Sequence, residues 1–176
     1  MVSYFDIVDE LRRKGKCSCT NCVIIRMQQL DKPVQKETKF WHDLKENFPL
    51  DFMRRVEHSI ESGWPDVHYS HGGHSGWIEL KAQPKFPSSI DFEPAQPLWL
   101  TKYWRSGGNC FIFLKVIDEG MIYVWPGLFA HELDKPNGCH EVMPMLSVRM
   151  HDKGWGELLE MFRSEENLVR FPEQNA

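Results

Sequence analysis

Two carboxylates and one lysine near the middle of the chain have types and spacing that could act on one substrate. Asp66 follows Trp64 and Pro65 at a predicted turn, and Glu79 and Lys81 lie farther along in an apolar segment. Because side chains alternate along a β-strand, Glu79 and Lys81 would share one face of that strand. A hairpin-like pairing would bring Asp66 close to both, so these three groups could form one site.

This combination of groups predicts a divalent metal site. Two neighbouring carboxylates repel each other and are costly to bury unless a cation joins them. Oxygen ligands suit Mg²⁺ or Mn²⁺, which often takes substrate phosphates as further ligands. A nearby lysine can orient a water or stabilise charge on a phosphate. The predicted chemistry is therefore metal-assisted hydrolysis of a phosphodiester, to which Glu37 and Glu57 could add further carboxylates. An E-x-K strand that simply exposes its charges to solvent is the alternative.

The elements that must position these residues can be predicted from hydrophobic periodicity. Phe40, Leu44 and Phe48 repeat at helical spacing, and Glu37 lies on the same inward face. Predicted helices cover 36–48, 94–106 and 155–163, and predicted strands cover 53–59, 66–70, 77–82, 109–117 and 121–125. The core order αβββαβ, with a helix between the third and fourth strands, predicts an α/β fold with a mixed central sheet flanked by helices. An extra C-terminal strand and helix follow this core.

The segments EHSIESGWPD (57–66) and GWIELK (76–81) together resemble the PD-(D/E)XK nuclease superfamily. The likeness is greatest to small phage-type members related to VRR-NUC domains and Holliday-junction resolvases. It covers about residues 36–117 and includes the αβββαβ order of a restriction-endonuclease-like core. The resemblance implies a metal-dependent DNA endonuclease, with branched DNA (junction or flap) as its preferred substrate and a homodimer as its assembly.

The resemblance also implies roles for individual residues. Asp66 and Glu79 would be metal ligands together with the backbone carbonyl of Leu80, and Lys81 would position or polarise the attacking water. Glu37 and Glu57 compete for the place of a further acid that many members use. Gln96 is similar to a polar helix residue that often follows the E-x-K strand, although simple capping of its helix explains it equally well. The bases flanking the site that could contact phosphates are Arg54, Arg55, Lys85, Lys102 and Arg105.

Three cysteines near the N-terminus form a second cluster. Cys17, Cys19 and Cys22 could hold one Zn²⁺, but structural zinc needs a fourth ligand, for which Cys139, His42 or a partner chain are candidates. Reduced surface thiols are the simpler interpretation. If the cluster binds zinc, the alternative function is a catalytically inactive DNA- or protein-binding factor on the same fold.

Composition limits the remaining possibilities. The 176 residues carry a formal net charge of −4, which argues against coating nucleic acid by charge alone. Residues 1–115 carry a balance of +2 and residues 116–176 a balance of −6, so an anionic partner should meet the first part. Trp41, Trp77, Trp99 and Trp104 are interpreted as core and interface aromatics. With neither an export signal nor a membrane span in the pattern, we expect a cytoplasmic protein, in the host cytoplasm if phage-encoded.

Three regions are expected along the chain. Residues 1–35 would form an N-terminal helix and the cysteine-rich knuckle. Residues 36–130 would form the nuclease core, and the acidic residues 131–176 would pack on it as a C-terminal extension.

Overall fold

The structure, a computed structural model, describes residues 8, 19, 34–48, 50–56, 63–150 and 152–163. The chain divides into two compact units, Met1–Gln35 and Lys36–Ala176. Cys17, Cys22 and Glu57 lie outside the described residues, and Cys19 is exposed, so the zinc cluster and the role of Glu57 stay predictions. None of the helices in the described ranges has the length and apolar character needed to cross a membrane.

The order of elements in the second unit begins with a helix and three strands, as the periodicity predicts. The helices are α1 (Val34–Asn47), α2 (Gln96–Arg105), α3 (Ala130–Leu133), α4 (Gly138–Glu141) and α5 (Asp152–Arg163). The strands are β1 (Phe52–Arg55), β2 (Val67–His71), β3 (His74–Gln83), β4 (Asn109–Val116), β5 (Met121–Pro126) and β6 (Leu146–Arg149). The α/β fold class and the αβββαβ core are confirmed, and β6 and the short helices α3 and α4 were not predicted.

The six strands form one mixed sheet in the order β1-β2-β3-β4-β5-β6. The pair β3–β4 is parallel, and the other neighbouring pairs are antiparallel. A parallel pair needs a crossover connection, which here contains α2. Strand β4 is buried on both faces, which explains its almost uninterrupted apolar sequence, CFIFLKV after Asn109.

Helices cover both faces of the sheet. On one face, Phe40 and Leu44 of α1 and Phe162 of α5 join the buried core. On the other face, Leu100 of α2 packs with Trp125 of β5. The sheet is therefore the middle layer of three, and its alternating side chains supply two separate cores.

Strand β3 extends beyond the strand that it pairs with. The β2–β3 register runs from His71 opposite His74 to Val67 opposite Ile78, whereas β3 continues to Gln83. From Glu79 onward, β3 consequently has no ladder partner in β2. This part of the β3 edge is where the chain places Asp66.

Candidate active site

Glu79 and Lys81 lie on one face of β3, as strand alternation requires. The side chain of Glu79 is only 1% exposed, and its Oε1 lies 3.0 Å from Nζ of Lys81. Lys81 is also half-buried, with Nζ located 5.2 Å from the ring centre of Phe92. A carboxyl group and an ammonium are thus withdrawn from water side by side, and whenever the carboxyl group is ionised their attraction is stronger than on an open surface.

Asp66 is fixed against the free edge of β3 by its own backbone and side chain. Its Oδ2 accepts a hydrogen bond of 2.9 Å from the Leu80 N–H, and its carbonyl accepts one of 2.8 Å from the Val56 N–H. The carbonyl of Leu80 belongs to the same edge as its N–H, because both groups of a strand residue project to one side. This edge thus offers Asp66, Glu79 and a main-chain oxygen to one small region.

Helix α1 brings a third carboxylate, that of Glu37, toward the same region. Burial raises the pKa of Glu37, the Lys81 ammonium opposes that shift, and the Asp66 carboxylate adds to it. Glu37, Asp66 and Glu79 therefore interact with one another or with the same charged groups, Lys81 among them. They are referred to below as the carboxylate cluster. The helix predicted from its apolar spacing is what delivers Glu37 there.

All three acids of the carboxylate cluster are held in an environment that disfavours their charge. Burial is the largest cause in each case, and it raises the pKa of Asp66 and of Glu79, the latter to about 8. The Asp66 carboxylate further raises the pKa of Glu79, whereas Lys81 lowers it. Oε2 of Glu79 is buried and has no hydrogen-bond partner among the residues that the structure describes. A cation at this point would satisfy that oxygen and relieve the repulsion, so the residues fit a bound metal.

Lys81 is oriented by Gln96, the first residue of α2. Lys81 Nζ donates to Oε1 of Gln96 over 3.3 Å, and the same oxygen accepts the N–H of Glu93 over 2.9 Å. Gln96 thus contacts both the lysine and the main chain before its helix, and its role in the site stays a prediction. Burial by itself would lower the pKa of Lys81, but the carboxylates around it, Glu79 foremost, raise the pKa instead. Lys81 is accordingly an ammonium that donates hydrogen bonds.

Two charged residues that the sequence did not assign to the site act on it as well. Arg55 lowers the pKa of both Glu37 and Asp66, and its Nη1 donates to Oγ1 of Thr38 in α1 over 3.3 Å. Glu93 raises the pKa of the same two acids. The only sequence signal for Glu93 is its position immediately before α2, three residues from Gln96. Arg55 was identified only as one of several bases available for phosphates.

The donor set determines which metal the site suits. Across the described ranges, no three His, Cys, Asp or Glu side chains converge closely enough to hold a metal ion by themselves. Mg²⁺ does not need such a cage, since it commonly uses one or two carboxylates and completes its shell with waters and phosphates. Asp66 and Glu79 with the Leu80 carbonyl meet that requirement, with Glu37 behind them as an additional negative charge.

Comparison with known proteins gives one distant structural likeness. No protein-family model matches the chain, and no curated protein matches it. Among solved structures, the chain is similar to Hjc, a Holliday junction resolvase from the archaeal hyperthermophile Archaeoglobus fulgidus. The identity is 18%, the alignment covers 55% of this chain and 78% of the archaeal chain, and the TM-score is 0.41. No conclusion about activity follows from a likeness at this level.

Proposed function

We propose that this protein is a metal-dependent DNA endonuclease of the PD-(D/E)XK type that hydrolyses phosphodiester bonds. The observation that carries the proposal is the buried carboxylate cluster beside Lys81, in which Oε2 of Glu79 lacks a partner. Such an arrangement is costly for a protein that uses it only as structure. It is useful for one that binds Mg²⁺ or Mn²⁺ at Asp66 and Glu79.

Each residue of the site has a distinct proposed role. Asp66, Glu79 and the Leu80 carbonyl would hold the metal, which supplies positive charge to polarise a phosphodiester and an attacking water. Lys81 donates hydrogen bonds to the water or the phosphate and stabilises negative charge as it develops. Because its pKa is raised, Lys81 is poorly suited to act as a general base. Gln96 keeps Lys81 directed at the site, and Glu37 adds negative charge that favours the cation.

The substrate that we propose is branched DNA, either a four-way junction or a flap, cut by a homodimer. This finer proposal comes from the resemblance of the segments around Asp66 and Glu79 to junction-resolving and phage-type members of the superfamily. The proposed metal would make the local electrostatics compatible with a DNA substrate, because its positive charge would offset the acids of the site beside the phosphates. Arg54 and Arg55 flank the site and could contact the backbone.

A cleavage panel tests the proposal directly. Wild-type protein is incubated with Mg²⁺ or Mn²⁺ and with single-stranded, duplex, flap and four-way-junction DNA of one sequence. We expect cutting that is abolished by EDTA and falls by at least ~100-fold in Glu79→Gln or Asp66→Asn, since each change removes a charged metal ligand. Glu132→Gln, a change at an exposed glutamate far along the chain, serves as the matched control.

Two results would contradict the proposal. One is that no DNA form is cut with either metal, and the other is that Asp66→Asn cuts at the wild-type rate. Cutting of linear duplex in preference to the junction and flap would reject branched DNA as substrate while leaving the endonuclease in place. A monomer by light scattering in the presence of junction DNA would reject the proposed homodimer.

A further inference from the structure

An open hollow of about 500 Å³ lies beside the carboxylate cluster. Its lining residues lie on β1, directly after β1, on β2 and on β3, and we refer to it as the aromatic hollow. The lining residues are Phe52, Arg54, Arg55, Val56, His68 and Trp77. Its volume falls in the range of about 300–1,000 Å³ that small-molecule sites occupy. It is therefore large enough for one molecule of moderate size.

The walls of the aromatic hollow combine flat apolar rings with positive charge. The rings of Phe52 and His68 have centroids 6.0 Å apart, and those of His68 and Trp77 are 5.0 Å apart. Phe52 is 48% exposed, so part of its ring is open to a ligand. Arg54 is exposed, and no carboxylate among the described residues pairs with it. A ligand with an aromatic ring and a negative charge would satisfy both features.

The aromatic hollow is linked to the carboxylate cluster by a backbone hydrogen bond and by neighbouring positions on β3. Val56, which lines the hollow, donates its N–H to the carbonyl of Asp66 over 2.8 Å. Arg55, also in the lining, donates to Oγ1 of Thr38 in α1, the helix that carries Glu37. Trp77 lies two residues before Glu79 on the same face of β3. A molecule in the hollow would consequently lie next to any group held at the cluster.

We propose that the aromatic hollow binds an unpaired nucleotide adjacent to the phosphate that is cut. The inference rests on the proposed nuclease function, because it takes the neighbouring site to be the place where a DNA strand is cleaved. The nucleobase would stack on Phe52 and on the rings beside it, and Arg54 would pair with a flanking phosphate. Base stacking on protein rings together with backbone contacts to cations is the usual way in which single-stranded nucleic acid is held.

An unpaired base fits this hollow better than duplex DNA. Inside a duplex, both faces of a base are covered by its neighbours, and only the base edges reach the grooves. Protein rings can contact a base face only where the base has left the stack, as it does at a flap, a gap or a strained junction. Trp77 packs with the core on the α2 face of the sheet, as predicted for a core and interface aromatic, and it also lines the hollow. Its ring therefore supports the neighbouring rings and stays partly accessible to a ligand.

Fluorescence of 2-aminopurine tests the inference independently of cleavage. The full chain, in EDTA so that no cutting occurs, is titrated into an oligonucleotide carrying one 2-aminopurine, either single-stranded or within a perfect duplex. We expect the single strand to bind with a change in its 2-aminopurine emission as the base restacks on protein. Phe52→Ala should weaken that binding by about 5- to 150-fold, which corresponds to the ~1–3 kcal/mol of a base–aromatic stack.

Two further variants make the test specific. Leu98→Ala is the matched control, because Leu98 is an apolar side chain of α2 with 49% exposure and lies outside the aromatic hollow. It should bind as wild type does. Arg54→Gln should lower the dependence of log Kd on log salt by about 0.7, the value for one phosphate contact to a single strand.

The inference is overturned if emission does not change, if Phe52→Ala and Leu98→Ala bind alike, or if Phe52→Ala weakens duplex binding as much as single-strand binding. Its failure is distinguishable from failure of the proposed function. A wild-type protein that cuts junction or flap DNA with Mg²⁺ but shows none of these binding effects retains the nuclease and loses the nucleotide site. A protein that shows the binding effects and never cuts retains a single-strand site without the nuclease.

Discussion

At the scale of single residues, Glu79 lies in surroundings that are unfavourable for a carboxylate. Its carboxyl is 1% exposed, one of its oxygens lacks a partner, and its pKa is raised to about 8 by burial and by Asp66. In metal-free protein near neutral pH, the folded chain therefore holds a proton at Glu79 that the unfolded chain would release. Ligation of a cation requires that this proton leave, so metal affinity should increase toward alkaline pH.

This proton gives metal-free protein a particular dependence of stability on pH. The pKa of Glu79 is about 8 in the folded chain, against 4.5 for an unperturbed glutamate. Because the folded state binds more protons between these values, the free energy of unfolding should fall as pH rises through that window, by up to ~1.4 kcal/mol per unit. Urea unfolding in EDTA at several pH values measures the slope.

Glu79→Gln should flatten that slope and unfold at higher urea than wild type at the alkaline end, because it has no proton to lose. Glu37 and Asp66, whose pKa values are also raised, would leave a residual slope of the same sign. Glu132→Gln should retain the full wild-type slope. Equal slopes in wild type and Glu79→Gln would show that the Glu79 carboxyl is not held protonated in the fold.

At the scale of elements, a buried ion pair attaches α1 to the sheet. Lys115 of β4 is 7% exposed and pairs with Asp43 of α1, and its Nζ lies 5.6 Å from the ring centre of Phe40. Removing the carboxylate would leave a buried ammonium without its counter-charge. The same helix carries Glu37, so the pair helps to set where that acid lies.

We therefore expect Asp43→Ala to lower the free energy of unfolding by ~1–3 kcal/mol, the cost of one buried polar group left unsatisfied. Glu46→Ala, an exposed position of the same helix, should change it little. Chemical denaturation measures both. If Asp43→Ala costs no more than Glu46→Ala, the pair does not hold the helix in place. Adding Lys115→Met should recover part of the loss, because the unpaired charge is then absent.

The segment 63–65, directly before Asp66, contains a glycine that lies against the start of α2. Gly63 has φ +96°, and a Cβ there would lie 2.6 Å from Cβ of Ala95, the N-cap residue of α2. Gly120 also has a positive φ, +63°, but a Cβ there would meet nothing within 4 Å. Gly120→Ala would incur only the cost of the backbone conformation, whereas Gly63→Ala would incur both that cost and the cost of the contact with Ala95. Comparing the two variants therefore isolates the cost of that contact.

Both Gly63→Ala and Gly120→Ala should lose about 1–2 kcal/mol of stability from the left-handed backbone. Gly63→Ala should lose more, and it should also slow any cleavage in the DNA panel, because segment 63–65 and α2 lead to Asp66 and Gln96 of the site. Thermal unfolding and the cleavage panel give the two readouts. Equal losses in both variants, with cutting unaffected, would mean that the close approach of Gly63 and Ala95 does not align the site.

Much of this arrangement could be predicted from local sequence, and the reasons are physical. Periodic apolar residues define α1, and alternation places Glu79 and Lys81 on one face of β3. Strand β6 could not be predicted, since its four residues carry a weak pattern and form a strand by pairing with β5. Glu93 was missed, and Arg55 was predicted only as a base for phosphates, because their proximity to the cluster is set by packing between distant elements.

At the scale of the whole molecule, a metal that binds only the folded chain should stabilise all of it. One bound ion at 100 times its Kd contributes about 2.7 kcal/mol. For a chain of this size, each kcal/mol raises Tm by roughly 2–4 °C. We expect Mg²⁺ or Mn²⁺ to raise Tm of the wild type, and to do so more at pH 8 than at pH 6, because the proton on Glu79 is lost more readily at the higher pH.

Differential scanning fluorimetry with each metal, and with EDTA as reference, measures this shift. Glu79→Gln should show little or none, and Glu132→Gln should show the wild-type shift. An equal rise in Tm for Glu79→Gln would place the stabilising ion elsewhere in the chain. The excess negative charge of the chain lies after residue 115. Weak, nonspecific binding of cations to that region would raise Tm equally in wild type and in Glu79→Gln.

The unpaired stretch of β3 also makes one backbone amide a reporter of the site. Beyond Ile78 that edge lacks β2, so the hydrogen bond that the Leu80 N–H donates goes to the Asp66 side chain. The protection of the Leu80 amide from exchange with solvent deuterium would then depend on the Asp66 carboxylate. We expect Asp66→Ala to accelerate deuterium uptake at Leu80 selectively, while amides of the β4 interior remain slow. Hydrogen–deuterium exchange resolved to single residues would follow the state of Asp66 without any substrate present.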